Sequence, residues 1–322
     1  MYGANDLKAS ITVTETSVEC PVKGCPEKVE RQRKVFKCDP QFQCPKHQIY
    51  ISPSTFEYPS KLDNLLWKDK EDQALLQAIR SVKRESRMAR DNSEDAVSWN
   101  VFRYLEKTNQ LSDAMSSFIG SPITNSEVIY WSYSQNVCGI WPKLIEACKE
   151  FGEHLARRSE PDLIVISDSA LFWIEAKLTA TNKTKPSKPE ATKKYLTGGN
   201  GWFQQVFTSD YYTVAVHQQK YELMRFWLLG SWIADQMDVD YYLVSLVPEV
   251  KESDIVELFD PLIKTNIRRK FMRMTWEDIY RFISERSSPT EGRRIVLDYF
   301  TNKTIGYDHV SELELAFSLK TE

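Results

Sequence analysis

The sequence predicts an α/β fold: a central mixed sheet flanked by helices, preceded by a small β module. Three observations carry this. Residues 163–166 (LIVI) and 171–174 (LFWI) are short apolar runs joined by the polar turn Ser167-Asp168-Ser169-Ala170, which reads as a β-hairpin. A further apolar run at 241–247 follows a long amphipathic stretch, so strands and helices interleave. Four of the six cysteines fall between residues 20 and 44, where helical periodicity is weak.

Along the chain, residues 1–19 are polar and β-leaning, with ITVTETSV as a short strand, and QIYISPSTFEYP is punctuated by Pro53 and Pro59. This sets a small module at 1–60 and a main α/β domain at 61–322. Leu62, Leu65, Leu66, Leu75, Leu76 and Ile79 recur at helical spacing. Asp91-Asn92-Ser93 reads as a break and N-cap, followed by a helix at 94–105 with Ala96, Val97, Val101, Tyr104 and Leu105 on one stripe. A strand at 127–133 and a helix at 141–158 lead to the hairpin. Both of its runs are apolar at nearly every position, which places it in a sheet covered on both faces. Residues 179–197 are Lys-rich and read as a long exposed loop. Gly198-Gly199-Asn200-Gly201 is a turn, 202–209 a helix, and 217–232 a long helix closing near Gly230. The remainder, including 276–285, reads as mainly helical.

The 322 residues are 42% apolar, 12% aromatic and 27% charged, which excludes a disordered chain. No run of about 18 apolar residues is present, so no membrane span is expected. The first ten residues lack the apolar core of a secretory leader, and the expected location is cytoplasmic. Neither a phosphate-binding GxxxxGK[ST] loop, a GxGxxG turn nor a GxSxG elbow occurs.

The net charge of −3 makes no global case for a polyanionic partner, but the basic residues are clustered. One group is Lys23, Lys28, Arg31, Arg33, Lys34 and Lys37. A second, in the loop, includes Lys183, Lys185 and Lys188, and a third runs from Lys264 to Arg273. Cys20-x4-Cys25 and Cys44-x2-His47 each make a short knuckle, and 18 residues between them suffice for a β-ribbon. Four sulfur and nitrogen donors suit a tetrahedral, structural Zn2+, with Cys38 as an alternate to Cys44. About 40 residues here resemble a zinc ribbon. Metal binding would supply much of the folding free energy of so small a module. Cys138 and Cys148 read as buried small hydrophobes.

The hairpin carries the second constellation. Asp162 opens its first strand and Glu175-Ala176-Lys177 ends its second, with twelve residues between the two acids. A strand, a tight turn and a return strand bring Asp162 and Glu175 together at one edge of the sheet. Alternation puts Glu175 and Lys177 on one face. Two carboxylates and an ammonium in such a place call for compensation, which a hard divalent cation such as Mg2+ or Mn2+ supplies.

Pro161-Asp162 and Glu175-Ala176-Lys177, within LIVISDSALFWIEAK, resemble the PD-(D/E)XK nuclease superfamily across roughly residues 90–250. The resemblance implies a restriction-endonuclease-like sheet and Mg2+-dependent hydrolysis of phosphodiesters, of DNA rather than RNA. It also implies an acid on the preceding helix, a role that Glu94 fits, with Asp95 as its rival. Some members carry a Gln and a Tyr on a later helix. Gln218-x-x-Tyr221 is one residue short of that spacing, and Gln204 or Gln205 are alternatives. In this reading Asp162, Glu175 and Glu94 hold the metal, Lys177 acts on the nucleophile, and Lys183 and Lys185 contact nucleic acid. The expectation is thus an endonuclease of prokaryotic restriction or phage defence, acting as a homodimer or with a partner subunit. The alternatives are a nucleic-acid-binding or assembly module that does not cut, and a nuclease subunit activated by a partner.

Overall fold

The computed structural model describes residues 6–8, 10–83, 87–307 and 313–319. Its strands are β1 (Ser17–Glu19), β2 (Lys28–Glu30), β3 (Tyr50–Ile51), β4 (Phe56–Glu57), β5 (Glu127–Tyr130), β6 (Tyr133–Ser134) and β7 (Gly139–Ile140). β8 (Leu163–Ile166), β9 (Ala170–Ala176), β10 (Asp240–Val247), β11 (Arg269–Thr275), β12 (Thr304–Tyr307) and β13 (Leu313–Leu315) follow. The helices are α1 (Lys70–Arg80), α2 (Glu94–Lys107), α3 (Leu111–Ile119), α4 (Pro142–Glu150), α5 (Lys193–Val206), α6 (Tyr221–Met237), α7 (Ile255–Phe259), α8 (Trp276–Arg286) and α9 (Glu291–Asn302).

The chain divides into two compact units, and the division differs from the expected boundary at residue 60. The first unit joins residues 1–73, 85–107 and 276–322; the second joins 74–84 and 108–275. The reason lies in the first unit's core. Val18, Cys20, Val29, Ile51 and Phe56 of the N-terminal module pack with Tyr307 and Leu313 from β12 and β13. The Tyr307 hydroxyl donates to the carbonyls of Ser52 at 2.6 Å and Thr55 at 2.5 Å. The first 60 residues alone present too little apolar surface to close a core.

The second unit holds the α/β domain. Its mixed sheet has the order β11-β10-β9-β8-β5-β6-β7 among the described residues, and helices flank it. β8 and β9 form the expected antiparallel hairpin, with Leu163 opposite Ile174 and Ile166 opposite Leu171. β10 runs parallel to β9, and β11 parallel to β10. The parallel return from β9 to β10 takes α5 and α6 across the sheet, as parallel pairing requires. Every residue of β9 is buried, as its continuous apolar run implied. The core gathers Trp173, Phe203, Trp227, Leu229 and Leu243.

Several boundaries depart from the sequence pattern. Between residues 62 and 83 only α1 and a short 3-10 turn at Lys61–Asn64 form. The segment 179–197 is not loop throughout, because α5 begins at Lys193. The GGNG turn interrupts α5, with Gly199, Asn200 and Gly201 at φ +59°, +54° and +77°. The long helix begins at Tyr221, after a π-helical turn at Tyr212–His217. It runs through Gly230, since a Cβ there would lie 2.5 Å from the Tyr241 ring. The C-terminal third carries strands as well as helices. No helix among the described residues is long and apolar enough to cross a membrane.

Candidate functional site

Each unit contains one constellation. In the first unit, Cys20, Cys25, Cys44 and His47 offer donor atoms that all lie within 4.8 Å of one another. Two tight turns present them. Cys25 donates its N–H to the Val22 carbonyl at 3.0 Å across a turn with Gly24 at φ +77°. Gln48 donates to the Cys44 carbonyl at 2.7 Å, with Gln48 at φ +59°. Cys20 Sγ is 3.4 Å from His47 Nδ1, Cys44 Sγ is 3.8 Å from the same nitrogen, and Cys25 and Cys44 sulfurs are 3.9 Å apart. Ligands on one tetrahedral zinc stand about 3.5–3.8 Å apart, so this set can hold a metal such as zinc. Burial, and then the neighbouring Cys44 and Cys25 thiols, push the Cys20 thiol upward. A divalent cation removes that penalty by taking the thiolates directly. Cys38 is exposed and is not part of the cluster, so Cys44 rather than Cys38 belongs to the candidate donor set. Four protein donors would leave no open position on a tetrahedral ion.

In the second unit, the hairpin register sets Asp162 beside Glu175. Asp162 Oδ2 accepts the N–H of Ala176 at 2.9 Å. On the other side of β9, Ser245 of β10 stands opposite Glu175, and the Lys177 N–H donates to the Leu246 carbonyl at 2.8 Å. The point of convergence is therefore the end of the central strands, not a lateral edge of the sheet. Glu175 is 4% exposed and Lys177 9%. The Lys177 ammonium donates to Glu175 Oε1 and lies 3.5 Å from Glu222 Oε2.

Glu222 is the member that sequence reasoning missed. It occupies the first turn of α6, and its N–H donates to Thr184 Oγ1 at 2.8 Å. Thr184 also donates its N–H to the Gln219 carbonyl at 2.7 Å and accepts the Tyr221 N–H at 3.2 Å. The stretch after Lys177 thus folds back to pin the start of α6. The available signal was an acid in a helix's first turn, adjacent to the noted Tyr221.

Burial, then the charge of Asp162 and that of Glu222, hold the Glu175 carboxyl well above its usual range, against the pull of Lys177. Burial alone would lower Lys177; the carboxylates of Glu175, Glu222 and Asp162 outweigh it and hold the amine well above its usual value. Three acids thus surround one ammonium, with Glu175 and Lys177 buried and Glu222 partly exposed. Among the described residues, however, the Cys20–His47 group alone has its donor atoms gathered at metal-site spacing.

Glu94 and Asp95 lie in the first turn of α2, which belongs to the other compact unit from Asp162, Glu175 and Lys177. The predicted cap is present, since Ser93 Oγ accepts the Ala96 N–H at 3.2 Å. Gln218, Gln204 and Gln205 are exposed. Tyr221 bonds through its hydroxyl to Tyr195 at 3.1 Å. Lys183 and Lys185 are exposed on either side of Thr184.

In the other basic groups Lys23, Lys28, Arg33, Lys34, Lys37, Lys264 and Lys270 are exposed, while three arginines are engaged by the fold. Arg31 donates to the Pro53 carbonyl, Arg268 pairs with Asp238 and Asp240, and Arg273 caps the carbonyls of Glu249 and Lys251. Cys148 is buried as expected, but Cys138 is exposed in the turn between β6 and β7, at φ +50°. His309 lies outside the described residues.

The chain matches no family model, no curated protein and no solved structure.

Proposed function

We propose that this protein is a divalent-metal-dependent endonuclease of the restriction-like type, cutting phosphodiesters of DNA in preference to RNA. The observation that carries the reading is the convergence of Asp162, Glu175 and Lys177 at the end of the central hairpin, with the buried Lys177 ammonium donating to Glu175. Asp162 and Glu175 are the residues that would hold Mg2+ or Mn2+. Such an ion polarises a phosphodiester and acidifies a bound water. Lys177 stands two residues from Glu175 on the same face and orients the attacking water or offsets charge developing on the phosphate. Lys183 and Lys185, exposed just downstream, neutralise flanking phosphates. Glu94 belongs to this set only as the resemblance has it; Glu222 stands in contact with Lys177. The zinc-type module is a structural element, and a prokaryotic restriction or phage-defence role follows from the resemblance alone.

The test is cleavage of supercoiled plasmid, single-stranded DNA and RNA by the zinc-loaded protein, with magnesium, with manganese and with neither. Glu175→Ala and Lys177→Ala are expected to lower metal-dependent cutting by about 100-fold or more. Cutting that survives both substitutions refutes the site. A folded wild-type protein that binds nucleic acid but cuts none of these substrates favours a non-cutting binding module.

A further inference from the structure

An aromatic row running from the core to the surface starts beside the proposed catalytic cluster, and the cluster does not explain it. Four tyrosines form a connected row in the second unit. Tyr221, which precedes Glu222, meets Tyr195 edge-on with centroids 6.2 Å apart. Tyr195 stacks on Tyr211 at 6.2 Å and 15°. Tyr211 meets Tyr212 edge-on at 5.7 Å. Tyr195 and Tyr211 are buried and Tyr221 is half-buried, so of the four Tyr212 alone opens widely to solvent, at 47% exposure.

The Lys-rich segment lies alongside this row. Thr184 is hydrogen-bonded to Gln219, Tyr221 and Glu222 at one end, and Tyr195 stacks on Tyr211 at the other. Lys183, Lys185 and Lys188 are exposed along that segment. Carboxylates lie along the same stretch: Asp210 accepts the Thr213 N–H at 3.0 Å and its hydroxyl at 2.7 Å, and Glu252 accepts the Asn182 N–H at 2.9 Å. Glu190 is a single carboxylate among the lysines.

An exposed ring braced from behind by other rings, next to flexible cations, is the arrangement that holds unpaired bases. A duplex buries its base faces and offers nothing for Tyr212 to stack on. The geometry points to a stacking platform for a single-stranded polynucleotide: Tyr212 takes a base on its open side, and Lys183 and Lys185 take the phosphates. Because the row ends at Tyr221, beside Glu222 and its contact with Lys177, a strand seated there is led to the proposed cutting centre. The inference rests on the nuclease reading above and narrows its substrate to single strands or frayed ends.

Fluorescence anisotropy on the full zinc-loaded chain, without magnesium or manganese, reads binding apart from cutting. The probes are a labelled oligothymidylate of about 12 nucleotides and a labelled duplex of the same length. Tyr212→Ala is expected to weaken single-strand binding about tenfold and leave duplex binding nearly unchanged, while Tyr212→Phe keeps wild-type affinity. Lys183→Ala with Lys185→Ala weakens binding and flattens its salt dependence. Melting curves confirm that each variant is folded. Equal effects of Tyr212→Ala on both probes, no effect on either, or no binding by wild type would each overturn the platform. If the platform fails while Glu175-dependent cutting persists, the nuclease reading stands; if Tyr212-dependent binding holds without any cutting, that reading alone falls.

Discussion

Removing the carboxylate of Glu153 tests how α6, and with it Glu222, is held in place. Glu153 lies just past α4, and its side chain is 1% exposed. Its Oε1 accepts from Arg225 Nε at 2.9 Å, Ser159 Oγ at 2.9 Å and the Tyr195 hydroxyl at 3.1 Å, and its Oε2 accepts the Ser159 N–H at 2.6 Å. Burial would raise this acid; the Arg225 charge and the Arg225 and Ser159 hydrogen bonds outweigh it and hold the carboxyl below its ordinary value. Arg225 is itself only 16% exposed. Glu153→Ala strands that guanidinium and leaves the Ser159 N–H without its acceptor, at a cost of about 3–5 kcal/mol. Glu153→Gln keeps the volume and one acceptor, and costs about 2 kcal/mol. Replacing both partners, as Glu153→Leu with Arg225→Met, costs less than the sum of the two single changes, because no buried charge remains unpaired and what is left is the Ser159 N–H without its acceptor, about 1–3 kcal/mol.

Urea unfolding at pH 7 of wild type, Glu153→Leu, Arg225→Met and the double replacement forms a double-mutant cycle, with Glu153→Ala and Glu153→Gln measured beside it. The sign with pH is fixed. A carboxyl lowered by folding stabilises fully above its unfolded value, about 4.3, and loses that contribution as pH falls through the folded value. Wild type and Glu153→Gln therefore converge in acid. A Glu153→Ala protein within about 1 kcal/mol of wild type, or a pair replacement costing the sum of the two single changes, would refute the reasoning.

Two further predictions concern the metal and the helix. Elemental analysis is expected to find one zinc per chain in wild type and in Cys38→Ser, and none in Cys44→Ser; a ribbon that loses its ion gives up stabilisation on the order of 10 kcal/mol and unfolds. Gly230→Ala pushes a methyl group into the ring of Tyr241, whose hydroxyl donates to the Phe226 carbonyl at 2.7 Å. Overpacking costs about 1–3 kcal/mol and helix propensity returns about 1 kcal/mol, so thermal melting is expected to show a less stable protein, and an unchanged midpoint would show that the ring has room to move.

The hairpin was legible because everything that sets it is local: two apolar runs, a four-residue turn, and alternation that fixes which residues face together. The same locality made the two knuckles and the Ser93 cap readable. Glu222 was not readable, because its place depends on Thr184 tying down the start of α6 and on α6 returning across the sheet, 45 residues from Lys177. Gly230 misled for a related reason. A glycine in a helical pattern looks like a terminator until the tyrosine of the next strand is seen to occupy the missing side chain's volume. The far-end strands that complete the N-terminal core were not readable either, because no local pattern near residue 60 points to them.

That last feature has a temporal side. The Tyr307 hydroxyl bonds Ser52 across 255 residues of sequence. At a synthesis rate of about 5–20 residues per second, the ribosome takes on the order of ten to fifty seconds to travel that distance. Throughout that interval Cys20, Cys25 and Cys44 are on a nascent chain whose apolar enclosure is unfinished. Their thiols are then open to oxidants and to competing soft metals. If the two knuckles take zinc early, the ion protects them, and the order of events would be metal first, enclosure second.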